Sequence, residues 1–244
     1  MAENFLHILY KQTATENIFP LFLYLISIMK PEVQRNISVC FLKECEKYNH
    51  KNKGEIMNEI VRNKKILDRE RTALLIIDIQ SRIAGVMQQP EMVEANTIKL
   101  IKGAKILGLP IYFTEQYPQG LGETIDSIKE ELQGSNAILK DSFSCYGAGD
   151  LFNELKRKGL DQIIVTGIET HVCVQQTVLD LLANGFQVNL MADAVSSRKV
   201  IDYETAIARM RANGAEVSTS ESALFELLNV CGTQEFKDIL KIVK

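Results

Sequence analysis

Apolar and polar positions change their spacing several times along this chain, and the changes divide it. The run Ile18–Met29, IFPLFLYLISIM, is strongly apolar. At about a dozen residues it falls short of the roughly 20 that a membrane span needs. The residues ahead of it hold Glu3 and Glu16 with only Lys11 as a basic residue between them, a poor leader for a secretory signal. The run reads as a helix packed on a core or on a partner chain, with a signal anchor as the alternative. From Glu46 to Arg71 the pattern turns polar and charge-rich, as in a solvated helix or a linker. A boundary near Asp68 separates an N-terminal extension, residues 1–68, helical or partly disordered, from a second region, 69–244.

The second region alternates strands and helices. Ala73–Asp78, ALLIID, is a continuous apolar run closing on a carboxylate, the pattern of a strand covered on both faces. Glu91–Leu107 has apolar residues at helical spacing and is stopped by Gly108 and Pro110. Ile111–Thr114 is the second strand, followed by the turn-rich loop EQYPQGLGET. Ala137–Leu139 is a short strand leading into Lys140. Asp150–Lys158 is a helix with Asp150 as its cap. Ile163–Val165 is a strand that passes through Thr166-Gly167 into a helical segment containing Cys173. Phe186–Met191, the helix Ile201–Ala212, the strand Ala215–Ser218, a helix Ala223–Asn229 capped by Ser220, and an amphipathic Gln234–Lys244 complete the series. About six such alternations predict an α/β fold with a mostly parallel, doubly wound sheet and helices on both faces.

Composition narrows the functional classes. The chain has 244 residues, 24% of them charged, with a net charge of -3. That balance argues against nucleic acid or an anionic membrane surface as the partner. Five cysteines at irregular spacing support neither a disulfide framework nor a zinc module. A reducing compartment follows, the cytoplasm first, with a mitochondrion or another organelle open. The glycines of the 115–124 loop lack the Lys-Ser/Thr of a phosphate loop.

Reactive side chains fall at three predicted strand ends: Asp78, Lys140 and Cys173. In a parallel sheet those ends lie side by side, and ligands bind outside them. A cysteine at a helix start faces backbone N–H groups and the positive end of the helix dipole, which favour the thiolate. Cys173 would attack a carbonyl. Asp78 would take the thiol proton, pass it to the leaving group and activate water. Lys140 would hold a charged group and bias its neighbours' ionisation. Backbone N–H groups of the 168–173 turn would receive the oxyanion. Each side chain also has a plainer reading: a capping Asp, a solvated Lys, a buried inert Cys. His171, two residues before Cys173, does not share a helical face with it. Asp193 ties loops together, and Cys145 fills space.

With these segments in view, the chain resembles the isochorismatase-like cysteine hydrolases. LLIIDIQ, LKDSFS and VTGIETHVCVQQTVLDLLANGFQVNLMADAVSSR carry the likeness, and TEQYPQGLGET with ARMRANGAEVSTSE places it near the eukaryotic isochorismatase-domain-containing branch. The likeness covers Thr72 to about Lys244. It implies a Rossmann-like α/β/α sandwich, an Asp-Lys-Cys triad at Asp78, Lys140 and Cys173, and a cis peptide at Ile168-Glu169. The N–H groups of Glu169 and Cys173 would then form the oxyanion hole. Nicotinamidases of this family hold a metal through Asp and His after the second strand. TEQYPQGLGET contains neither residue, so neither metal nor cofactor is expected. Isochorismatases proper lack the cysteine and act on a vinyl ether, so Cys173 points to C–N hydrolysis of a small-molecule amide or related acyl substrate. Gln80, Tyr117 and Phe143 are the expected pocket wall. The family's habit of assembly implies a homo-oligomer. A fold retained for binding or scaffolding, with the apolar N-terminal run as a docking helix, and vinyl-ether hydrolysis are the competing readings.

Overall fold

A computed structural model of the protein describes residues 61–244. The expected N-terminal helix, the Ile18–Met29 run, Cys40 and Cys45 lie outside the described residues. The compact unit begins at Arg62. The segment before Thr72 lies along the sheet: Leu67 is buried, and the Gln162 amide donates to the Lys64 and Ile66 carbonyls, both at 3.2 Å, while accepting from Asp68 N at 2.8 Å.

Among the described residues, six strands form one sheet: β1 (Thr72–Ile77), β2 (Ile111–Gln116), β3 (Ile138–Lys140), β4 (Gln162–Ile168), β5 (Gln187–Ser196) and β6 (Glu216–Ser218). Their spatial order is β3-β2-β1-β4-β5-β6 and every pairing is parallel. The helices are α1 (Pro90–Leu107), α2 (Pro118–Leu121), α3 (Asp126–Glu131), α4 (Leu151–Arg157), α5 (Gln175–Ala183), α6 (Val200–Ala212), α7 (Ser220–Leu228) and α8 (Gln234–Val243). The doubly wound α/β/α fold expected from the alternation is therefore the one observed.

Side-chain alternation explains the layers, because successive strand residues face opposite sides. Leu74, Ile76 and Ile164 pack with α1, α7 and α8. Ala73, Leu75, Ile77, Ile163 and Val165 pack with α4, α5 and α6. With both faces covered, β1 and β4 read as unbroken apolar runs. Buried hydroxyls lock α1 to the sheet: Thr97 Oγ1 lies 2.8 Å from Thr166 Oγ1, which donates to the Ala194 carbonyl at 2.5 Å.

Two local expectations are corrected. Asp150 precedes α4 but makes no capping bond; its carboxylate accepts instead from Asn153 and Arg157, both at 2.7 Å. Ser220 is the first residue of α7, and Asp193 Oδ1 accepts from both its N–H and its hydroxyl at 2.9 Å. Asp193 thus ties β5 to α7; it lies inside the strand, which runs on to Ser196 beyond the expected end at Met191.

The strand order reverses between β1 and β4, the point at which sheets of this kind bind their ligands. Gly167 pairs with Ile77 across this point. A Cβ at Gly167 would meet the Ile77 carbonyl oxygen and lie 2.7 Å from Ile77 Cβ, on a backbone with φ of 149°. Neither neighbour can move without displacing Asp78. Gly167→Ala should cost about 3 kcal/mol or more in urea unfolding. A loss within about 0.5 kcal/mol would show that the strands can part freely here.

Candidate active site

The end of β1 turns sharply. Asp78 adopts a left-handed backbone, φ 53°, uncommon for a residue with a side chain. Its N–H still bonds the Thr114 carbonyl at 3.2 Å, and the turn leaves the carboxylate at the switch point, 1% exposed. Oδ1 accepts from Thr114 Oγ1 at 2.7 Å and Oδ2 from Lys140 Nζ at 2.6 Å. Lys140, at the end of β3, also donates to the Ser142 and Phe143 carbonyls at 3.0 Å each. An ammonium has three donors, so all three are spent inside the protein. The side chain that was expected to hold a charged substrate group holds Asp78 and two loop carbonyls.

Cys173 follows β4. The chain reverses through Glu169, φ 57° and ψ 59°, into a π turn, Thr170–Val174, that runs on into α5. Such turns recur at functional sites because the extra residue redirects a side chain. The Ile168-Glu169 bond, expected cis, is trans, and no peptide among the described residues is cis. The chain turns there at the left-handed Glu169. Arg198 Nε donates to Glu169 Oε1 at 2.9 Å and His171 Nδ1 lies 3.0 Å from Ser197 Oγ, so the turn is bound to the loop after β5. His171 faces away from the sulfur, consistent with its sequence spacing. Thr177 Oγ1 donates to the Cys173 carbonyl at 2.7 Å and accepts from Cys145 N at 2.9 Å, holding the two cysteine-bearing turns together.

The expected trio is thus gathered at one place. Asp78 and Lys140 form an ion pair closed off from solvent, and both charges act on the Cys173 thiol. The electrostatics differ from the sequence expectation. Burial pushes the Cys173 thiol well above the usual cysteine range, and the Asp78 charge pushes the same way against the opposing Lys140 ammonium. The helix start does not overcome desolvation at a side chain from a residue only 4% exposed. Burial and the Asp78 charge both favour the protonated sulfur at rest.

Of the expected pocket wall, Gln80 is fully buried and braces the backbone: Oε1 accepts from Gln116 N at 2.9 Å, and Nε2 donates to the Gln116 and Gly122 carbonyls at 2.9 and 2.6 Å. Tyr117 and Phe143 are 55% and 53% exposed. Tyr117 N donates to the Lys140 carbonyl at 3.0 Å; for Phe143 it is the backbone carbonyl, not the ring, that meets Lys140. Thr114 and Gln116 were missed as site residues. The strand was read as ending at Thr114, whereas β2 runs two residues further, and two-residue alternation puts Thr114 and Gln116 on the same face. That alternation was the available signal.

Cys145 occupies a buried position near the pair, 3.8 Å from Thr114 Oγ1. Burial, then the Asp78 charge, raises its thiol from 9.0 to about 11. The folded state therefore holds this proton to higher pH than the unfolded chain does. The resulting stabilisation is complete below about pH 9 and is lost as pH climbs toward 11. Two pH units correspond to about 3 kcal/mol. Urea midpoints should fall across that window, and more steeply than in Cys145→Val; parallel curves would contradict this.

A doubly wound parallel sheet with Asp78, Lys140 and Cys173 at its switch point defines an isochorismatase-like hydrolase fold. Residues 72–222 match the Isochorismatase domain, and the chain belongs to that family. It is 39% identical over 179 residues to isochorismatase family protein 1B of Dictyostelium discoideum, covering 72% of this chain and 87% of that one. Among solved structures, MAR1 ribonuclease from Caenorhabditis elegans superposes with a TM-score of 0.68 at 35% identity, covering 72% and 91% of the two chains. YcaC from Pseudomonas aeruginosa, solved with hexane-2,5-diol and covalent acrylamide, gives 0.69 at 26% identity, covering 75% and 93%. YcaC from Escherichia coli, described as an octameric hydrolase of unknown specificity, gives 0.65 at 25%, covering 70% and 85%. Among the described residues, no helix is long and apolar enough to cross a membrane.

Proposed function

We propose that this chain is a cysteine hydrolase cleaving a small amide or related acyl substrate through a Cys173 thioester. The supporting observation is the buried Asp78–Lys140 pair set against the Cys173 thiol. The Asp78 carboxylate takes the thiol proton, and the electron pair left on sulfur attacks the carbonyl carbon. Negative charge develops on the carbonyl oxygen, received by the N–H groups of Glu169 and Cys173. Protonated Asp78 then delivers its proton to the leaving nitrogen as the C–N bond breaks. Asp78 next removes a proton from water, the oxygen attacks the thioester carbon, the C–S bond breaks to release the acid, and the proton on Asp78 returns to the Cys173 sulfur. Lys140 keeps the carboxylate oriented throughout.

The covalent acrylamide on the Pseudomonas protein supports the presence of a nucleophile in this fold. The ribonuclease name of the Caenorhabditis protein invites phosphodiester cleavage instead. The net charge of -3 and an ammonium with every donor committed do not favour a polyanion. The octameric relative supports assembly of this chain into a homo-oligomer. The test is a panel of small amides assayed with the wild type and Cys173→Ala. Hydrolysis of at least one amide, lost in the variant, is expected; hydrolysis that persists in Cys173→Ala removes the mechanism.

A further inference from the structure

Among the described residues, the Cys173 thiol meets two acceptors, the Asp78 carboxylate and the Gln116 side-chain amide. Sγ donates to Gln116 Oε1 at 3.1 Å. Gln116 is the last residue of β2 and is 9% exposed. Its backbone is clamped on both sides by the Gln80 amide, through the two 2.9 Å bonds already described, so the side chain springs from a fixed point. Its own Nε2 has no hydrogen-bond partner among the described residues. The groups that act on the sulfur from neighbouring elements are Asp78 after β1, Lys140 at the end of β3 and Cys145 in the turn before α4.

An amide oxygen at this distance favours S–H and opposes S⁻, because its lone pairs face the charge. Bonded to Gln116, the thiol keeps its proton, with the Asp78 carboxylate beside it. For attack, the proton must leave for an Asp78 oxygen; both carry a hydrogen bond already, and each keeps a second lone pair. The electron pair stays on sulfur and nothing is oxidised or reduced. Gln116 Oε1 would then face a thiolate. A half-turn of the terminal amide, a soft two-fold torsion, replaces Oε1 by Nε2, a donor to the thiolate. The turn breaks no other hydrogen bond among the described residues, since Nε2 has none to lose.

We propose that Gln116 is a positioning residue that holds the Cys173 proton at rest and, on rotation of its amide, stabilises the thiolate, with Gln80 fixing the strand end that carries it. This rests on Cys173 being the nucleophile.

The test is the rate of Cys173 alkylation by iodoacetamide from about pH 6 to about pH 11, followed by peptide mapping so that the exposed Cys231 is counted separately. Full-length wild type, Gln116→Met and Gln116→Glu are compared. Met offers neither an acceptor to S–H nor a donor to S⁻; the bond to the charged form is the stronger, so the midpoint for Cys173 should rise by about one pH unit. Glu keeps acceptors, adds charge and offers no donor, and the midpoint should rise by about one unit or more. Cys231 should be unmoved in both. Coincident profiles in all three proteins overturn the proposal, and so does a fall in Gln116→Met, which would mean that the amide holds the proton and never serves the thiolate. If Gln116→Met fails to fold, the nearly isosteric Gln116→Glu carries the test alone. Failure of wild-type Cys173 to react at any pH while Cys231 does would instead defeat the nucleophile reading beneath it.

Discussion

Lys140→Met should destabilise the protein by about 3–5 kcal/mol, among the larger effects expected of any single substitution in it. The ammonium and the Asp78 carboxylate are 0% and 1% exposed as side chains and 2.6 Å apart. Removing the cation leaves an uncompensated buried carboxylate, and it strips the Ser142 and Phe143 carbonyls of their 3.0 Å donor. Each unpaired group carries its desolvation cost. Asp78→Asn should also destabilise, because it leaves the Lys140 ammonium buried without its counter-charge, but by less, because the Ser142 and Phe143 carbonyls still accept from it. The double variant should lose less than the two single losses combined, since it buries no unpaired charge. Urea unfolding of the four proteins supplies the cycle. Single-variant losses near zero, or strict additivity, would mean that the pair is not closed off from solvent in the way described.

Cys173→Ala should behave in the opposite manner, nearly intact as a fold and inert as a catalyst. Removing one buried sulfur costs about 1–2 kcal/mol of packing. The substitution leaves the Asp78–Lys140 pair, the Thr114 bond and the Thr177 bridge to the residue 173 carbonyl in place. Turnover of any amide substrate should fall by at least about a thousandfold, because no covalent intermediate can form. Circular dichroism and kcat/KM measured on the same preparations distinguish loss of chemistry from loss of fold. A variant that melts like the wild type and retains a tenth or more of its kcat would contradict the assigned role.

The sequence made the scaffold readable for a physical reason. Strands covered on both faces must be apolar throughout, so ALLII and the Ile163–Val165 run stand out without structural help. The carboxyl ends of such strands are where side chains meet, which singled out Asp78, Lys140 and Cys173. What stayed hidden lies in tertiary context. The extent of β2 beyond Thr114 was obscured because Glu115 and Gln116 are polar, yet both are buried: Glu115 by the N–H and hydroxyl of Thr124, Gln116 by Gln80 and Cys173. The state of the thiol was misjudged because helix-start arguments say nothing about desolvation. The three committed donors of Lys140 depend on how the Ser142–Phe143 loop folds back, which residue spacing does not encode. The chain turns at a left-handed Glu169, and the Ile168-Glu169 bond that family likeness implied to be cis is trans.

The central claim is that Cys173, served by Asp78, becomes bonded to the substrate's carbonyl carbon. Intact-mass and peptide-level mass spectrometry of the wild type, acid-quenched while it turns over an amide from the panel, tests it directly. The account predicts an added acyl mass on the peptide containing Cys173, absent from Cys173→Ala and accumulating in a variant impaired in water activation. Steady turnover with no adduct on that peptide, or an adduct located on another residue, would contradict it.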